Sequence, residues 1–206
     1  MNSITNRFIS AFPIILLYSL SHFNTSIRNI SFIFLVIVAN IEYFNNFIKI
    51  SKSKILLNIY WLILNLSFYF ATKLNPILVL NIVSVNIFSD GFQYLFGKTL
   101  NKYLSYKPFK NISPNKTLVG YIFGLLVTFI LVNQSKIFTK IQIILILLSG
   151  VFGDLFESFI KRKINIKDFS ITYNNKSINL LGKHGGVLDR IDSIIFSVLS
   201  YYLILN

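Results

Sequence analysis

The sequence predicts an all-α fold: a polytopic integral membrane helical bundle of about seven spans with a cytosolic N-terminus. Three observations carry that prediction. Hydrophobic residues make up 54% of the 206 and charged residues 13%, against roughly 25% charged in an ordinary soluble domain, and mean hydropathy is +0.64. The apolar residues come in runs long enough to cross a bilayer as helices. Lys and Arg are concentrated in the connections that share one face. This composition disfavours a soluble globular protein, a coiled coil and a disordered chain. Without Cys there is no disulfide framework, thiol nucleophile or thiolate metal site.

The first segment, Phe8–Ser21, is short and contains Pro13, which suits a kinked or re-entrant stretch. Arg7 before an apolar run resembles the start of a signal peptide. No small-residue cleavage site follows, so it reads as a membrane segment. The second, Ile27–Ile48, the fourth, Ile77–Phe96, and the sixth, Ile137–Phe159, comfortably reach the length of a spanning helix. Ile55–Ala71, Leu118–Asn133 and Leu188–Leu205 are the third, fifth and seventh. With the N-terminus and the even-numbered connections on one side, that side receives sixteen of the twenty Lys and Arg residues. The other receives four: Arg28, Lys73, Lys136 and Lys140. The asymmetry puts the loops at about 97–117 and 160–187 in the cytosol. No linker or internal repeat divides the chain. It reads as a single membrane domain over 1–206, with N-terminal spans over 1–75 and a catalytic part over 76–206.

Net charge is +13. In a membrane protein this balance points to cationic loops that face anionic headgroups or phosphorylated substrates rather than nucleic acid. The seven acids are Glu42, Asp90, Asp154, Glu157, Asp168, Asp189 and Asp192. Most lie within or at the ends of apolar segments, where a carboxylate costs about 2.5–3.5 kcal/mol on insertion scales. Asp154 and Glu157 are three residues apart and share a helix face, as do Asp189 and Asp192. Hard oxygen ligands without Cys or a His cluster suit Mg²⁺, which also brings phosphates. The alternative is that each carboxylate pairs with a nearby base, Asp189 with Arg162 and Glu157 with Lys161. The basic residues favour phosphate chemistry. Lys161-Arg162-Lys163 follows the Asp154 segment, and Ser113-Pro-Asn-Lys116-Thr117 opens the fifth span, with Lys116 and Thr117 expected at a helix N-terminus. His184-Gly185-Gly186 provides flexible backbone just before Asp189.

Three blocks together resemble the signature of the phosphatidate cytidylyltransferase, or CDP-diacylglycerol synthase, family. They are Gly153-Asp154-Leu-Phe-Glu-Ser158-Phe-Ile-Lys161-Arg162, Lys167-Asp168, and His184-Gly185-Gly186-Val-Leu-Asp189-Arg190-Ile-Asp192. Weaker matches are Glu42-Tyr43, Asp90 with Tyr94-Leu-Phe-Gly97, and Ser113 to Gly120. The chain departs from the pattern at Val119, at Gly182-Lys183, and in extra residues such as Tyr173–Lys176. The resemblance implies transfer of the cytidylyl group of CTP to phosphatidic acid, giving CDP-diacylglycerol and pyrophosphate. It implies Mg²⁺, alone or with a second cation, held by Asp154, Asp189, Asp192 and Asp90. Lys161, Arg162 and Arg190 would hold phosphates. Ser113, Lys116, Thr117, Lys167, Asp168, His184, Gly185 and Gly186 would bind substrate. The expected partners are the two substrates and the lipid bilayer, with a homodimer left open and no nucleic acid. The expected location is a bacterial inner membrane or an organelle membrane. Another CTP-dependent lipid enzyme, of polyprenol kinase or CDP-archaeol synthase type, and an ion-coupled transporter are the alternatives.

Overall fold

The computed structural model describes residues 24–49, 54–103, 105–169, 171–173, 176–178 and 186–205. The segment Phe8–Ser21 lies outside them, as do His184 and Gly185. The described residues form six helices: α1 (Thr25–Lys49), α2 (Lys54–Lys73), α3 (Pro76–Thr99), α4 (Leu118–Ser135), α5 (Lys140–Lys163) and α6 (Leu188–Leu205). Five of these, α1 to α5, are long and apolar enough to cross a membrane. The sixth, α6, carries Asp189, Arg190 and Asp192 near its start. The protein is an integral membrane protein built of helices.

Local chemistry sets the boundaries. The Asn24 side chain accepts the Ser26 N–H at 2.9 Å and starts α1. Asn75 caps α3, with Pro76 as its first residue. Thr117 caps α4, its hydroxyl accepting the Gly120 N–H at 3.2 Å. At the other end of α4, Lys136 takes a left-handed conformation with φ 55. The α5 helix begins three residues later than its apolar run. Thr139 and Gln142 exchange side-chain and backbone bonds there as a reciprocal cap. One feature departs from an all-helical reading. Ile171–Tyr173 (β1) and Lys176–Ile178 (β2) pair antiparallel, with Tyr173 opposite Lys176.

The chain divides into two compact units. One comprises the described parts of Met1–Trp61 and Lys163–Ile191. In it, β1 lies along α1, and the buried rings of Tyr60 and Phe169 stack with centroids 6.1 Å apart. The Tyr43 hydroxyl donates to Asn58 and the Trp61 ring N–H to Asn40, both at 2.9 Å, joining α1 to the start of α2. The polarity of α1 is inverted relative to a soluble helix. Ile30, Ile33, Phe34, Ile37, Ile41, Phe44 and Ile48 form an exposed stripe, while Glu42 and Asn46 are buried, as expected when the surrounding solvent is lipid.

The other unit comprises Leu62–Arg162 and Asp192–Asn206. Its core holds Leu74, Ile82, Val85, Phe138, Ile143, Ile146, Leu147, Val198 and Tyr201. Helices α3 and α4 pack extensively against each other. Their approach needs glycine: a Cβ on Gly120 would come within 2.6 Å of the Gln93 carbonyl oxygen. A Cβ on Gly153 would likewise stand 2.5 Å from the Asp192 carbonyl oxygen, so α5 and α6 also touch through a small residue.

Candidate active site

In the second unit the polar groups of four consecutive features meet. Asp90 is on α3, Lys116 directly precedes the α4 cap, Asp154 is on α5, and Asp192 and Ser193 are on α6. The Lys116 ammonium bonds the Asp154 carboxylate and lies 3.9 Å from Asp90. Ser193 donates its hydroxyl to Asp90 at 3.4 Å. Asp192 is buried, accepts the Ser193 N–H at 2.7 Å, and lies in the electrostatic field of Asp154, Asp90 and Lys116. The lysine stem is partly buried, with Nζ 5.7 Å from the centre of the Tyr121 ring. Burial works to lower the Lys116 pKa, but the Asp154 and Asp90 carboxylates outweigh it and hold the pKa above the ordinary lysine value. The group is therefore an ammonium throughout the physiological range.

Local sequence explains this meeting. Asp90 and Gln93 are one turn apart on α3, and the glycines of α4 lie against Gln93. The short turns over 106–116 fold back so that the Tyr106 carbonyl accepts the Leu118 N–H at 2.9 Å, which holds Lys116 at the α4 start. Gly153, which lets α5 approach Asp192, directly precedes Asp154. Ser113 lies in the same turn, where its N–H bonds the Phe109 carbonyl at 2.8 Å.

The pairing of Glu157 with Lys161, read from the sequence as an alternative to chemistry, is present at 2.8 Å within α5, and both residues are buried. Arg162 is exposed and donates from Nε to the Ile112 carbonyl at 3.3 Å. Lys167, Asp168 and Arg190 are exposed.

In the first unit, Asp189 and Glu42 organise the start of α6. Asp189 accepts the N–H of Gly186 at 2.8 Å and that of Phe169 at 3.0 Å. The two Glu42 carboxylate oxygens accept the N–H groups of Val187 and Leu188, each at 2.9 Å. Glu42 thus caps a helix from another helix, satisfying donors that the first turn leaves without partners. It carries the Glu-Tyr resemblance but was not among the expected site residues, because no local spacing ties residue 42 to residue 187. Replacing Glu42 with Gln keeps its size but turns an amide N–H₂ toward a backbone N–H. The expected cost is about 1–3 kcal/mol, read as a lower melting midpoint in detergent, with Glu42→Ala no less damaging.

The donor set is compatible with a hard divalent cation. Among the described residues no three acidic or histidine side chains gather as a closed metal cage. Asp90 and Asp154 do share one cationic group, however, and Mg²⁺ is commonly bound by one or two carboxylates together with substrate phosphates.

Comparison with known proteins gives the family. The sequence model described as "Cytidylyltransferase family" matches residues 3–206. A phosphatidate cytidylyltransferase of Helicobacter pylori strain J99 is 39% identical over 129 residues, 59% of this chain and 44% of that protein. Those of Aquifex aeolicus and Bacillus subtilis are 39% and 35% identical, over 57% of this chain and 42% and 43% of theirs. The matched stretch thus spans less than half the length of these relatives. No solved structure matches. With the family model matching almost end to end, the chain belongs to the cytidylyltransferase family.

Proposed function

We propose that the protein transfers the cytidylyl group of CTP to phosphatidic acid, giving CDP-diacylglycerol and pyrophosphate for phospholipid synthesis. The observation that carries the reading is the meeting of Asp90, Lys116, Asp154 and Asp192, drawn from four separate stretches of sequence. A lipid phosphate oxygen attacks the α-phosphorus of CTP. The bond from that phosphorus to the bridging oxygen breaks, and its electron pair leaves with pyrophosphate. The lipid phosphate is already ionised, so no general base is needed, and catalysis is mainly positioning and charge neutralisation. Asp90 and Asp154 would hold Mg²⁺ together with substrate phosphates, with Asp192 and Asp189 assigned to the same task from the family pattern. When bound, the ion supplies neutralisation of phosphate charge. Lys116 offers its ammonium to the nucleotide phosphates, and Lys161, Arg162 and Arg190 add further positive charge. Ser113, Thr117, Lys167, Asp168, His184, Gly185 and Gly186 complete the substrate side. A groove of about 700 Å³ along α5 and α6, lined by Ile144, Leu148, Phe152, Phe196, Leu199 and Leu203, suits acyl chains.

Purified protein given labelled CTP and phosphatidic acid should form CDP-lipid and pyrophosphate. Formation of a phosphorylated polyprenol, or acceptance of archaeol phosphate alone, would replace this reading with another CTP-dependent one. Absence of any CTP turnover would end it.

The topology we propose has seven spans, with the first before α1, the loops at about 97–117 and 160–187 cytosolic, and the protein in a bacterial inner membrane. The chain has no Cys, so single introduced thiols label without background. Asn111→Cys should react only from the cytosolic side and Gln134→Cys only from the opposite side. The reverse pattern would overturn the charge argument.

A further inference from the structure

The Lys116 ammonium stands where Asp90 and Asp154 could both reach one cation. It is held there by Asp154, Asp90 and the face of Tyr121. A Mg²⁺ ion bound by the same carboxylates needs their oxygens at about 2.0–2.1 Å. The ammonium and the ion therefore exclude each other by contact as well as by charge. Lysine carries its charge on a flexible four-carbon stem with rotatable donors. Lys116 can leave without any helix moving, because it lies before the α4 cap rather than within a helix.

We propose that Lys116 is a tethered counter-ion that competes with divalent metal for the Asp90–Asp154 position, and that nucleotide triphosphate draws it away, so that metal and nucleotide bind together. This rests on the reading of Asp90 and Asp154 as metal ligands. The carboxylates keep a cation whether or not substrate is bound, so they do not repel one another. When the triphosphate arrives, the ammonium exchanges carboxylate oxygens for phosphate oxygens, and the divalent ion takes the vacated carboxylates. Metal affinity thereby depends on nucleotide, and the same lysine serves both states.

The test is Mn²⁺ binding to the full chain in detergent, followed by electron paramagnetic resonance. Without nucleotide, Lys116→Gln should bind Mn²⁺ at least about tenfold more tightly than wild type, the factor expected when the lysine leaves the site open less than about a tenth of the time. Lys116→Met, which keeps the apolar stem against Tyr121, should show the same gain, and Lys116→Arg should show none. A non-hydrolysable CTP analogue should tighten Mn²⁺ binding by a larger factor in wild type than in Lys116→Gln, where it adds only its own phosphate ligands. Unchanged or weaker Mn²⁺ binding in folded Lys116→Gln and Lys116→Met would overturn the proposal. If the Mn²⁺ gain appears but wild type makes no CDP-lipid, the assignment of the reaction fails while the counter-ion role stands.

Discussion

Asp154→Asn should reduce CDP-lipid formation per folded molecule by at least about a hundredfold, the lower range for removing one preorganised electrostatic group. Added Mg²⁺ should recover little of it. The substitution keeps the size of the side chain and its ability to accept a hydrogen bond, but removes the charge that faces Lys116. Insertion should not suffer, since neutralising an acid in a span lowers its membrane cost, and Lys116 retains Asp90. Asp189→Asn should also lose activity, and here a loss of stability adds to it. Its Oδ2 accepts the backbone N–H groups of both Gly186 and Phe169, and Oδ1 shares the Phe169 N–H at 3.3 Å, so an amide keeps the two shorter bonds but turns its N–H₂ toward the Phe169 N–H. The expected cost is about 1–3 kcal/mol of stability. The pair of measurements is activity per folded molecule and melting midpoint for each variant. Near-normal specific activity in Asp154→Asn would end the metal-site reading. An unchanged melting midpoint in Asp189→Asn would show that the bond to Oδ1 contributes nothing to stability.

Gly124→Ala should be among the most destabilising single changes in the second unit. Its Cβ would meet the backbone nitrogen and Cα of Gln93 at 2.6 and 2.7 Å. Neither is a flexible side-chain end, so α3 and α4 must separate, at about 1–3 kcal/mol or more. The same separation moves Asp90 away from Lys116, so activity should fall along with the melting midpoint. Gly91 is the control: nothing lies within 4 Å of a Cβ there, and Gly91→Ala should stabilise α3 by about 0.5–1 kcal/mol. Equal melting midpoints for Gly124→Ala and wild type would remove the close-approach explanation for the pairing of these helices.

Much of the helical layout was legible because bilayer length and apolar runs are strong, local signals. The segment Leu188–Leu205 has the bounds of α6, and Leu118 starts α4 as expected. Where the boundaries shifted, turn chemistry overrode hydropathy. Ile137 and Phe138 continue the apolar run but precede the Thr139–Gln142 cap, and Phe138 is buried in the core rather than in a helix. The β1–β2 pairing was missed because three-residue strands are too short for periodicity. The signal was there: Ile-Thr-Tyr, then Asn174-Asn175, then Lys-Ser-Ile. The acids were legible as candidates because carboxylates are costly inside spans. Their partners were not. Lys116 and Asp154 are 38 residues apart, and no spacing rule reaches across two helices.

The Glu42 clasp also has a consequence in time. Its two amide donors lie 145 and 146 residues downstream. At a synthesis rate of about 5–20 residues per second, α1 emerges from the ribosome roughly 7–30 s before Val187 and Leu188 exist. During that interval the acid sits in a newly inserted helix without the groups that will hold it. The start of α6 is therefore a late assembly step, and it reports whether α1 was placed correctly. A misplaced α1 would leave the first amides of α6 without the acceptors that Glu42 supplies.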